Sequence, residues 1–186
     1  MNTKIQEGQE IVIRGTAYRV LKLLGHGKGG YSFLVESSEG QFVLKAIHHE
    51  PCSYYSFGDK IAAEERDYRT LLAAGIPIPK MIHLDQEGEL ILKEYIEGPT
   101  VFDLVKDDED VSSLLPGIRE IAERAEAHGI NIDYFPTNFV LKNKRLYYVD
   151  YECNTYMEQW DFEHWGIKYW SKTPEFLEHL QKRGKN

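Results

Sequence analysis

The chain has 186 residues, 42% of them hydrophobic, enough to bury the core of one domain or of two small lobes. Its net charge of -8 gives no general electrostatic reason to expect a nucleic-acid partner, and two cysteines, Cys52 and Cys153, are too few for a disulfide framework. No N-terminal apolar segment resembles a signal peptide or membrane span, so a soluble cytoplasmic protein without internal repeats is the expectation.

In chain order, Ile11–Ile13 and Tyr18–Leu24 read as strands separated by the turn Arg14-Gly15-Thr16. The next six residues, Gly25-His26-Gly27-Lys28-Gly29-Gly30, match G-x-G-x-x-G literally. A dinucleotide-binding fingerprint must open a helix. Here Gly25, Gly27 and Gly30 run instead into Tyr31–Val35, a Ser-Ser-Glu-Gly turn and Gln41–Lys45, which is strand, turn, strand. Lys45 closes the apolar run Phe42-Val43-Leu44. His48-His49-Glu50-Pro51-Cys52 places imidazoles beside a thiol, but no second spaced pair completes a tetrahedral zinc set.

Lys60–Ala74 has helical spacing, and Ile61, Tyr68 and Leu71 share a stripe with Glu64. A carboxylate on a buried face is costly unless paired, which makes Lys45 its natural partner. Gly75 caps this helix, and Ile76-Pro77-Ile78-Pro79 restarts the chain in extended form. A hairpin follows, from Met81–Leu84 through Asp85–Glu89 to Leu90–Gly98. Thr100–Lys106 predicts a short helix, Asp107–Asp110 a solvated turn, and the next segment a helix to His128. That helix tolerates Pro116 only in its first turn and puts Ile118, Ile121, Ala122 and Ala125 on one face.

Asp133 and Asn138 then bracket a turn marked by Pro136. Phe139–Leu141 reads as a strand, Lys142–Arg145 as a turn, and Leu146–Val149 as a second strand that returns Asp150 beside Asn138. A carboxylate with an amide oxygen suits a hard cation such as Mg²⁺, and a second carboxylate can accept a proton from an attacking hydroxyl. Of the late aromatics, Trp160, Phe162, Trp165, Tyr169 and Trp170 fall at mixed helical spacings and read mainly as core, with some available to an acceptor or partner. Pro174–Lys182 predicts a terminal helix with Phe176, Leu177 and Leu180 inward, and Cys153 reads as inert packing.

The order Asp133, four residues, Asn138, then Asp150 after an apolar strand resembles the catalytic loop and metal-binding Asp of the protein-kinase superfamily. Val43-Leu44-Lys45 resembles its phosphate-anchoring strand, and the glycine turn between strands resembles its phosphate-covering loop. The helix, Gly75 and the Ile-Pro-Ile-Pro run look like RIO-type and related small bacterial kinases. Glu94-Tyr95-Ile96 resembles the hinge whose backbone binds the adenine edge, with Lys93 where an apolar residue usually backs that pocket. The resemblance covers Leu24 to Glu152 and implies an α+β, two-lobed protein-kinase-like fold. Residues 1–96 would be the small antiparallel lobe and 97–186 a reduced, mostly helical lobe. Gly25, Gly27, Gly30, Lys45, Glu94 and Ile96 would bind ATP, Glu64 would orient Lys45, Asp133 would act as base, and Asn138 with Asp150 would hold Mg²⁺. Tyr54, Tyr55 and Phe57 would pack over the nucleotide cleft or an edge of the small lobe.

Three departures bear on regulation and on the acceptor. Asn131-Ile132-Asp133 replaces the usual His-Arg-Asp, so the arginine that receives an activation-loop phosphate is missing. Asp150-Tyr151-Glu152 replaces Asp-Phe-Gly and is closer to aminoglycoside phosphotransferases and lipopolysaccharide kinases. Phe135 stands where Lys or His is common, and 36 residues (186 minus 150) follow Asp150, few for a peptide-holding segment. The implied activity is ATP- and Mg²⁺-dependent transfer to a hydroxyl, as an atypical serine/threonine protein kinase. A sugar or other small molecule is the alternative acceptor, and a pseudokinase serving as a binding module the alternative class.

Overall fold

The computed structural model describes residues 5–27, 29–49 and 59–183. The predicted aromatic loop and Cys52 lie within residues 50–58, outside the described residues. Two compact units emerge, one from the described residues within Met1–Glu65 and Pro79–Tyr95, the other from those within Arg66–Ile78 and Ile96–Asn186.

The first unit is built on a six-stranded antiparallel sheet of order β1-β2-β3-β4-β6-β5. β1 (Glu10–Ile13), β2 (Thr16–His26), β3 (Gly30–Ser37) and β4 (Gly40–Ile47) form a meander. Arg14 and Gly15 link the first pair with φ of 50° and 84°, the left-handed conformations a two-residue hairpin demands. β5 (Met81–Asp85) takes the far edge because β6 (Leu90–Glu94) pairs with β4. The strand predicted over Leu90–Gly98 thus stops at Glu94, where its ladder partners end.

Side chains alternate across this sheet. Tyr18, Val20, Phe33, Val35, Leu44 and Leu92 pack into one apolar cluster. The register sets Val43 opposite Lys93 and Lys45 opposite Ile91, so those four share the other face. Helix α1 (Lys60–Ala73) follows β4 in sequence; the Asp59 carboxylate accepts the Ala62 N–H at 3.0 Å. At its C-terminus Ile76 N–H bonds the Leu71 carbonyl at 3.1 Å, and Gly75 adopts φ of 68°, the left-handed cap that the following Ile-Pro-Ile-Pro run then leaves in extended form.

In the second unit, α2 (Val101–Lys106) starts at Thr100, whose hydroxyl accepts the Asp103 N–H at 3.0 Å. A 3₁₀ turn over Ser112–Leu114 leads into α3 (Leu115–Ala127), with Pro116 in the first turn and Ile118, Ile121 and Ala125 buried. Next come β7 (Ile130–Ile132), β8 (Phe139–Lys142), β9 (Arg145–Tyr148), β10 (Cys153–Thr155) and α4 (Pro174–Arg183). β8 and β9 form the expected hairpin, closed by Asn143 and Lys144 at φ of 50° and 64°. Lys142 and Arg145 pair with each other, so the turn is two residues shorter than predicted and Val149 lies outside the strand. β7 pairs with β10, a two-stranded ladder with no counterpart in the sequence reading.

The segment from Trp160 to Trp170 forms 3₁₀ turns over Glu158–Trp160 and Gly166–Tyr169. Phe162 and Trp170 are buried in the core with Phe139, Tyr148 and Phe176, whereas Trp160 is exposed. Leu177 is 41% exposed and not inward as predicted. Phe176 and Leu180, four residues apart, define the inward stripe of α4, and Leu177 sits one helical step beside it. No helix among the described residues is long and apolar enough to cross a membrane.

Candidate functional site

In the first unit, Lys45 Nζ donates to Glu64 Oε1, forming an ion pair with side chains only 10% and 13% exposed. β4 supplies the lysine, and the first turns of α1 supply the carboxylate. Neither charge is cheap to bury alone, so each stabilises the other's placement. Gly29 lies directly against this pair: a Cβ there would sit 3.5 Å from Glu64 Oε1 and 3.6 Å from Lys45 Nζ. The sequence reading named Gly25, Gly27 and Gly30 and passed over this glycine.

The described glycines of the motif are tied to the strands on either side. Gly25 belongs to β2, Gly27 N–H donates to the Gly30 carbonyl at 3.0 Å, and Gly30 opens β3. A Cβ on Gly30 would lie 2.3 Å from the Ala46 carbonyl oxygen, so only glycine lets β4 approach. The buried His48 ring places Nε2 2.9 Å from the Gly27 carbonyl and 3.2 Å from His26 Nε2, while His26 stacks on Tyr31 at 4.2 Å. His48 thus braces the turn, whereas His49 contacts Glu89 at 2.7 Å. Among the described residues, no three His, Cys, Asp or Glu side chains form a group suited to a metal ion. Glu94 ends β6, and its N–H donates to the Lys80 carbonyl at 2.9 Å. Ile96 is buried two residues on.

In the second unit, Asp133 follows β7 and Asn138 ends a 3₁₀ turn over Pro136–Asn138. Asp133 Oδ1 accepts the Phe135 N–H at 3.0 Å, and Asn138 Nδ2 donates to the Asp133 carbonyl at 3.3 Å. Val149 N–H donates to the Asn138 carbonyl at 2.9 Å, which ties the start of β8 to the residue before Asp150. Asp150 Oδ1 in turn accepts the Tyr151 N–H at 2.9 Å. One turn thus joins Asp133 to Asn138, and the hairpin returns the residue before Asp150 to the Asn138 carbonyl.

Tyr148 holds this group from below. Its fully buried hydroxyl accepts the Asp133 N–H at 3.4 Å and donates to the Glu152 carbonyl at 2.8 Å. Burial, then the charges of Asp150, Asp133 and Glu152, push its ionisation well above the ordinary tyrosine range. The same charges describe a negative centre around the hydroxyl. Sequence reasoning treated Tyr148 as one more strand residue; its signal is a phenol in an apolar strand, whose hydroxyl needs a partner when buried.

The donor set fits Mg²⁺. Asn138 commits its amide nitrogen to the Asp133 carbonyl, which leaves Oδ1 as the ligating end, and Asp150 brings a carboxylate. Two protein oxygens leave the remaining positions to water and phosphate, the usual arrangement for this ion. Phe135 extends from the same turn into a half-buried aromatic group, with ring centroids 5.0 Å from Tyr169, 4.6 Å from His179 and 6.5 Å from Trp165.

No protein-family model matches the chain, and neither does any curated protein. Its fold is widespread among solved structures, with 1281 matching chains. One is the crystal structure of the BubR1 kinase domain, at a TM-score of 0.57 and 17% identity over 81% of this chain. The alignment takes in 51% of that domain, so the chain spans about half its length. The fold is protein-kinase-like, and at this identity the likeness concerns the fold alone.

Proposed function

We propose that the chain is a phosphotransferase that moves the γ-phosphoryl group of ATP to a hydroxyl, with Mg²⁺ as cofactor. The buried Lys45–Glu64 ion pair carries this reading: a kinase-like sheet would have little reason to bury both charges unless the ammonium met phosphate. Residues 1–96 would supply phosphate and base contacts through the glycine turn, Lys45, Glu94 and Ile96. Residues 97–186 would supply Asp133, Asn138 and Asp150. Lys45 orients the phosphates, Glu64 orients Lys45, and Asp133 accepts the acceptor's proton as it attacks. Asn138 and Asp150 would hold Mg²⁺, which supplies neutralisation of the phosphate charge. Positioning and charge stabilisation meet the catalytic demand without a covalent intermediate.

The acceptor of first choice is a serine or threonine hydroxyl. The aromatic surroundings of Phe135, two residues past the proposed base, favour a second reading in which a small molecule stacks there. The test is thermal unfolding with and without nucleotide and Mg²⁺, beside Asp150→Ala, followed by γ-phosphate transfer assays. A ligand at a hundred times its dissociation constant adds about 2.7 kcal/mol, which raises Tm by roughly 5–10 °C in a chain of this size. A metal-dependent shift lost in Asp150→Ala supports the reading. No shift at saturating nucleotide overturns it in favour of a binding module.

A further inference from the structure

His26 and His48 are 22 residues apart in sequence and meet in the first unit, where the proposed transfer gives neither a role. His26 ends β2 and is exposed, whereas His48 follows directly on β4 and is 8% exposed. Their Nε2 atoms stand 3.2 Å apart, and the Gly27 carbonyl oxygen lies 2.9 Å from His48 Nε2. Tyr31, opposite His26 in the register of β2 and β3, stacks on the His26 ring at 4.2 Å and 4° and meets the His48 ring at 5.2 Å. One phenol ring thus helps to orient both imidazoles.

Two Nε2–H groups cannot face each other at this distance, so at most one of the two nitrogens carries a hydrogen on that side. Two nitrogens and a carbonyl oxygen therefore share a single hydrogen between them. The rings are also poorly aimed for a hydrogen bond to each other. Imidazoles joined end to end by a linear N–H···N bond of this length would have centroids about 5.6 Å apart. Here the centroids are 5.1 Å apart and the planes are tilted by 56°, so the ring axes converge. Placed symmetrically, the axes meet about 2 Å beyond each nitrogen, the length of a Zn–N bond. The nitrogen separation agrees with this, because two nitrogens bound to one such ion are about 3.3 Å apart at a tetrahedral angle and about 2.9 Å apart at a right angle.

We propose that His26 Nε2, His48 Nε2 and the Gly27 carbonyl form a binding site for a divalent transition ion, with Zn²⁺ the ion that the geometry fits. Two imidazoles and one backbone oxygen leave a fourth position to water, so the site is open rather than closed. Imidazole ligands set it apart from a Mg²⁺ centre, which takes oxygen. Other contacts of the two rings are compatible with ligation, because a metal-bound imidazole keeps its second nitrogen for a hydrogen bond. The second ligand that the His48-His49 motif lacks in its own segment comes from across the glycine turn, and the ion would tie the ends of β2 and β4 to that turn. The site draws nothing from the phosphotransferase reading, and each can fail without the other.

The experiment is calorimetric titration of the whole chain, stripped of metal by a chelator, with Zn²⁺ in the absence and presence of excess Mg²⁺, beside His26→Phe and His48→Ala. His26→Phe keeps a ring to stack on Tyr31 and removes the ligating nitrogen. The expected result is one Zn²⁺ per chain, bound equally well with Mg²⁺ present, and an affinity lowered more than about a hundredfold in each variant, since loss of a ligand exceeds the 10–100-fold cost of losing an outer-shell partner. Should His48→Ala fail to fold, His26→Phe decides, because His26 is exposed. Co²⁺ in place of Zn²⁺ gives a second readout, visible absorption of tetrahedral intensity that His26→Phe abolishes. Zn²⁺ binding that His26→Phe leaves unchanged puts the ion elsewhere and overturns the proposal. Zn²⁺ that Mg²⁺ displaces belongs to an oxygen-lined site and overturns it as well. Absence of Zn²⁺ binding overturns it outright and leaves the pair as a brace on the turn.

Discussion

The Asp133 N–H donates to the Tyr148 hydroxyl at 3.4 Å, and that hydroxyl in turn donates a hydrogen bond to the Glu152 carbonyl at 2.8 Å. One phenol thus links the residue proposed as base to the segment just past the residue proposed as metal ligand. Tyr148→Phe removes the link while keeping the ring that packs on Phe139 at 5.4 Å. The Asp133 N–H and the Glu152 carbonyl, both in part-buried bonds, lose their partner, and the expected cost is about 0.5–1.5 kcal/mol by denaturant unfolding. Turnover should fall further than nucleotide affinity, because Lys45 and the glycine turn are untouched.

Gly30 and Gly25 belong to one motif but answer to different constraints. A Cβ on Gly30 meets the Ala46 carbonyl oxygen at 2.3 Å, whereas one on Gly25 meets nothing within 4 Å. Gly30→Ala should destabilise by about 1–3 kcal/mol, since a backbone atom of β4 must yield. Gly25→Ala should change stability by less than about 0.5 kcal/mol. Urea denaturation midpoints of the two variants decide the point, and equal midpoints would show that β4 does not crowd Gly30.

Local signals made much of this legible beforehand. The glycine turn is bounded by apolar strands, α1 carries its own cap and stop residues, and the Asp133–Asp150 segment is one turn plus one hairpin. Each depends on neighbours within about twenty residues. What the sequence hides depends on distant partners. β7 and β10 are three-residue strands whose pairing joins Ile132 to Cys153, too short for a period and too far apart for a turn signal. Gly29 gains its meaning only when α1 brings Glu64 against it, and His48 only when it reaches Gly27. The aromatic run after Trp160 has mixed spacings, so periodicity alone assigns it no element, and the chain there forms 3₁₀ turns.

Cys153 should be unreactive. Burial, and then the nearby Asp67 charge, push its thiol up to about 12. At neutral pH it is protonated, and the thiolate is the nucleophile, so alkylation of folded protein should be much slower than of a free thiol at pH 8. The sign for stability follows. The unfolded thiol ionises near pH 9 while the folded one stays protonated, so this site leaves stability unchanged below pH 9 and subtracts from it as pH rises toward 12. Cys153→Ser should flatten the loss over that window in pH-dependent unfolding, and an unchanged curve would assign the loss to other groups.

The Lys45–Glu64 pair separates stability from catalysis. With side chains 10% and 13% exposed, removal of one partner leaves the other charge buried and should cost about 3–5 kcal/mol. Lys45→Met and Glu64→Leu together remove both charges and keep apolar volume, so the double variant should be more stable than either single one. Activity should behave differently, because phosphate anchoring needs Lys45 whatever the fold does: all three variants should lose phosphoryl transfer. Denaturant unfolding of the four proteins gives the coupling, and transfer assays on the same samples give the chemistry. A double variant that regains both stability and transfer would confine the pair to the architecture of the sheet and remove Lys45 from the reaction.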